Sequence, residues 1–461
     1  LIKQSKWPTA GPGGFQVANS ARMNRGSSDY FRRTNNTAGT SDKIGTYSGW
    51  VKRSTVSLDG MFFEGKDLAA NNYTQIYFQA TGALTIYGSG GGMDLVTTAL
   101  FRDPSAWYHV VVAFDTTQGT ASNRVKIYVN GTQITSVTNG NGDAAQYPSQ
   151  NSTIYFGVNG DQQGIGIRED GALLWNGYMS EIIYVDGQAL APTSFGVANS
   201  SGFWTPIIYA GTYGNNGFNL QFENAAALGT DSSPNGNTFT VSNLTSIDQS
   251  TDYPKNNFAT LNPLIRTYGT QVFSNGNLTS LNATNEPAWA HTLSSIGVSN
   301  GKWYWEIKVS GATPWIWTGI ISEAVDVRTQ YLYNENTGTF LYGNNGNKYL
   351  NGSSASSFFA SLATNDIASV ALDLDNNKIT FYKNGTATPN ATPLDLPANL
   401  SSTTVFPATT LVNGASISIN FGNAPYAISS GNADGNGYGN FEYAVPSGYY
   451  SINTANLAEF G

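Results

Sequence analysis

The sequence predicts an all-β protein made of two antiparallel β-sandwiches joined by an irregular connector, and three observations carry that reading. Val110, Val112 and Phe114 alternate with Val111, Ala113 and Asp115, and Val125, Ile127 and Val129 alternate with Lys126, Tyr128 and Asn130, the two-residue period of strands. Asn130-Gly131 closes that run, and Asn-Gly favours a type I′ hairpin turn because both residues tolerate positive φ. The plan returns far downstream, where Ala368, Val370, Leu372 and Leu374 lead through Asp375-Asn376-Asn377 to Ile379, Phe381 and Asn384-Gly385. One hairpin design in each half of the chain implies one core in each half.

A chain of 461 residues is too long for a single core, so two or three domains are expected. Charged residues make up only 11%, against roughly 25% in ordinary soluble domains, so Asn, Ser, Thr and Gln carry the hydration. A formal charge of −8 argues against nucleic acid as a partner, since such binding rests on many Lys and Arg contacts to phosphate. The chain has no cysteine, which removes disulfides and thiolate metal sites. No run approaches the ~20 apolar residues of a spanning helix, so no membrane insertion is expected. A start on Leu1 points to processing or a missing front piece.

Taken in order, residues 1–15 are rich in Pro and Gly and read as an arm. Residues 16–200 form the first sandwich, with strands expected at 47–53, 60–63, 74–79, 84–87, 152–158 and 177–185 besides the hairpin. Residues 201–262 turn polar and read as a connector, with Phe218, Leu220 and Phe222 alternating as one short strand and regularly placed aromatics that pack on a neighbour. The second sandwich occupies 263–428; Trp303, Trp305, Ile307 and Val309 alternate with Lys302, Tyr304, Glu306 and Lys308 there, the pattern of a strand with one buried face. Further strands are expected at 315–321, 331–342, 405–408 and 416–422. Residues 429–461 read as an extension rich in Gly, Pro and Tyr. No segment carries an apolar stripe of helical period and length.

Four motifs in order, Ser48–Arg53, Phe101–Asp115, Val125–Gly131 and Asn176–Leu190, resemble a laminin-G/concanavalin A-like lectin domain of the kind found in phage structural proteins. The resemblance spans about 16–200 and implies a jelly roll of two sheets. GKWYWEIKV at 301–309, the second hairpin, Phe406-Pro407-Ala408 and the closing INFG at 419–422 resemble a SPRY domain over about 265–425, which implies a second, bent sandwich. The connector and the final extension look like segments that accompany these domains in phage proteins.

Nucleophilic catalysis finds little support. Gly297-Val298-Ser299-Asn300-Gly301 matches G-x-S-x-G, but a strand follows it where the nucleophile elbow needs a helix. Only His109 and His291 are available as bases, and His109 lies within an apolar strand, where a packed, neutral imidazole is expected. Glucanase relatives set their carboxylates as Glu-x-Asp-x-x-Glu on one strand; no such run occurs, and Glu181 and Asp186 fall on opposite faces. Asn432-Ala433-Asp434-Gly435-Asn436-Gly437 resembles the front of a calcium loop, with Glu442 one position short of the closing ligand. Asp434 and Asn436 are therefore calcium candidates; Asp143, Asp161 and Asp170 lie in loops where laminin-G relatives hold calcium. No other cofactor is expected.

Glycan binding needs aromatic faces beside amide and carboxylate side chains on loops. The candidates are Tyr331, Tyr333, Asn334 and Asn336, then Tyr342, Asn345 and Tyr349, and Asn159 and Trp175 in the first domain, with Trp315 and Trp317 nearby. The expectation is a non-enzymatic phage virion structural protein on the capsid or tail surface, attaching to host-surface carbohydrate. It would contact other virion proteins and form a homo-oligomer such as a trimer. The alternatives are a purely architectural decoration protein or a polysaccharide depolymerase.

Overall fold

Val110, Val112 and Phe114 all point inward and are fully buried, while Asn130 and Gly131 take φ of 48° and 79°. These are the positive angles a type I′ turn demands, and the turn joins Val125–Val129 to Thr132–Ile134. Asn384 and Gly385, at 50° and 75°, do the same between Lys378–Lys383 and Thr386–Ala387. In each turn the asparagine Oδ1 also accepts a backbone N–H of the neighbouring strand, His109 in one and Ile367 in the other, both at 2.8 Å.

This computed structural model describes residues 17–89, 92–265, 271–283, 289–311, 315–326, 338–390 and 392–461. Among them, 17–255 form one compact unit and Asn256–Gly461 a second.

In the first unit one sheet runs, edge to edge, Thr132–Ile134, Val125–Val129, Trp107–Asp115, Ile44–Arg53, Gly177–Asp186, Ser20–Met23 and Gln249–Ser250; Phe218–Leu220 also pairs with Gly177–Asp186. The facing sheet runs Val137–Thr138, Met93–Leu100, Ala83–Gly88, Asn72–Phe78, Gly60–Asp67, Gln162–Ile165, Tyr30–Thr34 and Thr240–Ser242. Tyr47, Phe63, Ile76, Leu84, Val112 and Met179 meet between them. Alternation sends the other residues of each strand outward.

In the second unit, Lys302–Ser310, Ile367–Asp373, Lys378–Lys383 and Ser416–Asn420 centre one sheet; Val405–Val412, Trp315–Ser322 and Thr339–Gly343 centre the other. Trp303, Trp305, Ile320, Phe340, Val370 and Phe381 fill the core. Both units are all-β sandwiches, as expected from the alternation.

Three local expectations need correction. Residues 152–158 form no strand, although Ile154 and Phe156 are buried. Side-chain amides replace the missing ladder: Asn35 donates to Phe156 O and Val158 O, and Asn216 to Gly157 O. Residues 201–255, expected to pack on a neighbour as a connector, belong to the first unit itself, since Phe218–Leu220, Thr240–Ser242 and Gln249–Ser250 each add a strand to its sheets. The extension likewise belongs to the second unit: Tyr450–Ser451 pairs in parallel with Lys302–Ser310. It ends in an unexpected helix, Thr454–Phe460, whose first turn is capped by the Asn453 side chain accepting from Asn456 N. Seven residues are too few to show an apolar stripe.

Candidate functional site

Gly60–Asp67, Asn72–Phe78 and Ala83–Gly88 lie side by side, and their outward positions build a candidate site. Glu64, Gln75 and Tyr87 are direct cross-strand neighbours, and Lys66 opposes Tyr73. With Tyr77 and the turn at 168–173 they line a cleft of about 470 Å3. Tyr73 and Tyr87 stack with centroids 6.0 Å apart and planes 27° apart, and Tyr87 is 36% exposed. Flat rings beside amide and charged groups are the surface a pyranose ring recognises.

The polar groups in the cleft are held in place. Glu64 accepts from Gln75 Nε2 at 2.6 Å and from Glu169 N at 2.5 Å. Burial pushes its carboxyl above the ordinary range, and those two donors pull it partly back. Lys66 pairs with Glu169 at 3.0 Å, and Arg168 with Asp170 at 2.7 Å. Burial, then the nearby Asp59 and Asp94, raise the Tyr77 phenol to about 12, so it stays a hydrogen-bond donor at any ordinary pH. Two of the three carboxylates are thus paired with cations, and the third accepts from N–H donors. That arrangement is suited to gripping hydroxyl groups.

The residues singled out from sequence meet several fates. Tyr331, Tyr333, Asn334 and Asn336 lie outside the described residues. Trp175 is 1% exposed and packs edge-on against Phe62 at 5.1 Å, so neither ring face is open to a sugar. Tyr342 is fully buried in the second core and donates to Ala360 O. Tyr349 is 8% exposed and packs beside Trp317 on the outer face of its sheet. Asn345 and Asn159 are exposed; Asn345 Oδ1 accepts from Asn347 N within a tight turn. Trp317 is buried, whereas Trp315 is 54% exposed. Between Asn159 and Trp175, Arg168, Glu169, Asp170 and Leu173 wall the cleft. The tyrosines opposite were missed, although the alternation of Tyr73, Gln75 and Tyr77 was a visible sign of an outward aromatic row.

The calcium candidates are engaged otherwise. Asp434 Oδ1 accepts from Asn436 N and Tyr438 N, and Oδ2 from Ser451 N, Ser451 Oγ and Asn456 Nδ2. Donors occupy the lone pairs a cation would need. Asn436 donates to Asn456 and Glu459. Asp143 and Asp170 are exposed. Asp161 is buried, and burial followed by the charge of Asp67 raises it to about 7. No group of three or more acidic or histidine side chains converges among the described residues.

His109 does have a serine neighbour: its Nε2 lies 2.9 Å from Ser48 Oγ. However, Trp204 Nε1 donates to Nδ1 at 2.8 Å. An indole N–H can only donate, so the neutral ring carries its proton on Nε2, facing the serine. Burial pushes the imidazole down to about 3. This histidine cannot serve as the base for Ser48. Ser299 sits in an exposed turn and donates to Asn300.

The described residues thus build two β-sandwiches, the first of which carries an outward-facing cleft. Residues 25–182 match the family described as the concanavalin A-like lectin/glucanases superfamily, and residues 302–424 match the SPRY domain. The first half is thus similar to concanavalin A-like domains and the second to SPRY domains, types that are in general non-catalytic binding domains, although the first superfamily also includes glucanases. Similar solved structures include the SPRY domain of human HERC1, at 20% identity over 34% of this chain and 96% of that one, with a TM-score of 0.29. Stonustoxin matches at 16% identity over 35% of this chain and 27% of its own, again with a TM-score of 0.29. The PSpry domain of TRIM65 matches at 14% identity over 35% and 91%, with the same TM-score of 0.29.

Proposed function

We propose that this protein is a non-enzymatic adhesive protein that binds carbohydrate through the tyrosine cleft of its first sandwich. The observation that carries the reading is the stacked Tyr73–Tyr87 pair set beside Glu64, Lys66 and Gln75 on the outward face of one sheet. Display on a virion surface, with host-surface glycan as the target, rests on the resemblance of the sequence motifs at 48–53, 101–115, 125–131, 176–190 and 301–309 to phage structural proteins. Several copies in a homo-oligomer would then turn weak single-site affinity into firm attachment. Tyr331 and Tyr333 are candidates for a second contact from the SPRY unit.

A glycan array probed with the whole protein tests this. Tyr87→Ala and Tyr73→Ala are each expected to weaken the bound glycan roughly five- to tenfold, the worth of one lost ring–sugar contact. Parallel Tyr331→Ala and Tyr333→Ala variants report on the second contact. Wild-type protein that binds no glycan, or cleft variants that bind as well as wild type, would overturn the reading in favour of an architectural role. Release of oligosaccharide from host polysaccharide would replace it with a depolymerase.

A further inference from the structure

Later chain covers much of the outer face of the sheet that holds the first hairpin. Trp204 lies on His109, Phe195 and Tyr209 pack with Val111, and Asp252 reaches Lys52 and Trp107. Near Leu190 this cover gives way to an open cleft of about 340 Å3, floored by Ala113, lined by Lys126 and Tyr128, and rimmed by Gln118 and Asn123. Lys126 and Tyr128 are two apart on one strand and share its outward face; small Ala113 is the cross-strand neighbour of Lys126.

Lys126 differs from the other cations among the described residues. Each other described Lys or Arg has an ion pair, a hydrogen bond, an aromatic face or another polar interaction, whereas Lys126 has none. The one carboxylate in the cleft, Asp115, forms no ion pair with it and accepts instead from Thr117 N, Thr117 Oγ and Gln118 Nε2. In a chain of net charge −8 the long-range field repels anions, so anion binding here depends on this local ammonium group.

We infer that this strip is a second ligand site, selective for a carboxylate-bearing saccharide such as a hexuronic acid unit. The ammonium of Lys126 takes the carboxylate, the Tyr128 ring takes the apolar face of the sugar, and Gln118 and Asn123 take hydroxyls. The site lies on the opposite sheet from the tyrosine cleft and stands whether or not that cleft binds glycan.

Calorimetric titration of the full chain with an oligogalacturonate, and with the neutral galacto-oligosaccharide of equal length, tests it. The acidic sugar is expected to bind more tightly, with Lys126→Gln weakening it roughly tenfold, the scale of one charge-assisted contact, and Lys126→Arg largely retaining it. Raising salt from about 0.05 to about 0.5 M is expected to weaken binding of the acidic sugar, as screening of an exposed pair requires. The comparison is made in the Tyr87→Ala background, which takes the tyrosine cleft out of the reading, so that failure of that cleft and failure of this strip are told apart. No binding of the acidic sugar, equal binding of the neutral one, or no loss in Lys126→Gln would overturn the inference. So would displacement by acetate at the same concentration as by monomeric galacturonate, because the strip would then be a simple anion hole.

Discussion

In the first unit Gly131 sits under the ring of Trp204, and in the second Gly385 sits under Tyr443; a Cβ would lie 2.6 Å and 2.5 Å from those rings. Each hairpin turn is therefore roofed by an aromatic residue from chain that follows the sandwich, and glycine is needed for space as well as for φ. What fastens the two roofs differs. In the first unit the carboxylate belongs to the cover: Asp252 reaches down to Lys52 Nζ at 2.7 Å and Trp107 Nε1 at 3.0 Å, all three buried. In the second the carboxylate belongs to the sheet. Glu306 reaches up to the backbone N–H groups of Glu442 and Tyr443 at 3.0 Å and 2.8 Å, with Tyr304 and Asn420 completing its partners. The shape of the cover is shared, and its fastening was reached with opposite polarity. Both covers lie largely beyond the spans that match the two families, which end at residues 182 and 424.

The sharpest way to break this comparison is to remove a cover. Ending the chain at Ile428 strips Phe441 from Tyr304 and leaves buried Glu306 without its backbone donors. The expected outcome in calorimetry is loss of the second unit's cooperative unfolding while the first unit's transition stays in place. Next comes Asp252→Ala, which strands Lys52 at 1% side-chain exposure. An uncompensated buried charge costs about 3–5 kcal/mol, so denaturant titration should show the first unit destabilised by that amount and the second unaffected.

Glu181 offers a smaller effect whose sign depends on pH. It occupies a bulge in Gly177–Asp186 with φ of 49°, and burial raises its carboxyl from 4.5 to about 8. A raised carboxyl binds more protons folded than unfolded, so its contribution to stability falls as pH rises from about 4.5 to about 8. Glu181→Gln is expected to be near neutral at pH ~4 and to stabilise by about 2–4 kcal/mol at pH ~9. A constant difference across that range would show the carboxyl to be unperturbed. The smallest effect compares the turns directly: Asn130→Ala and Asn384→Ala should each cost about 2 kcal/mol, from a lost hydrogen bond and a left-handed backbone. Unequal losses would mean that the two turns only look alike.

How much of this was legible in the sequence follows the distance over which each feature acts. Val110 to Gly131 and Ala368 to Gly385 could be read residue by residue, because period and turn chemistry are local. The fastenings could not: Lys52 and Asp252 are 200 positions apart, and Glu306 and Glu442 are 136 apart. For the same reason residues 201–255 read as a connector, since their short strands exist only where a finished sheet offers an edge. Trp175 looked like a ligand contact because it follows a polar loop; only the packed core shows that it turns inward onto Phe62. The tyrosine cleft was half legible. Tyr73, Gln75 and Tyr77 announce a strand, but their cross-strand partners Lys66, Glu64 and Tyr87 decide that its outer face is a site.

The two roofed turns also bear on chemical ageing. Asn-Gly is the dipeptide most prone to deamidation, because the unhindered glycine nitrogen attacks the neighbouring carboxamide carbon to close a succinimide. Here each carboxamide is tethered to a strand N–H, and each glycine lies beneath a ring. Ring closure needs that tether released and that ring lifted. Folding therefore shields both asparagines from slow conversion to aspartate, and a population in which only one of them has converted would identify which half of the molecule opens more often during storage.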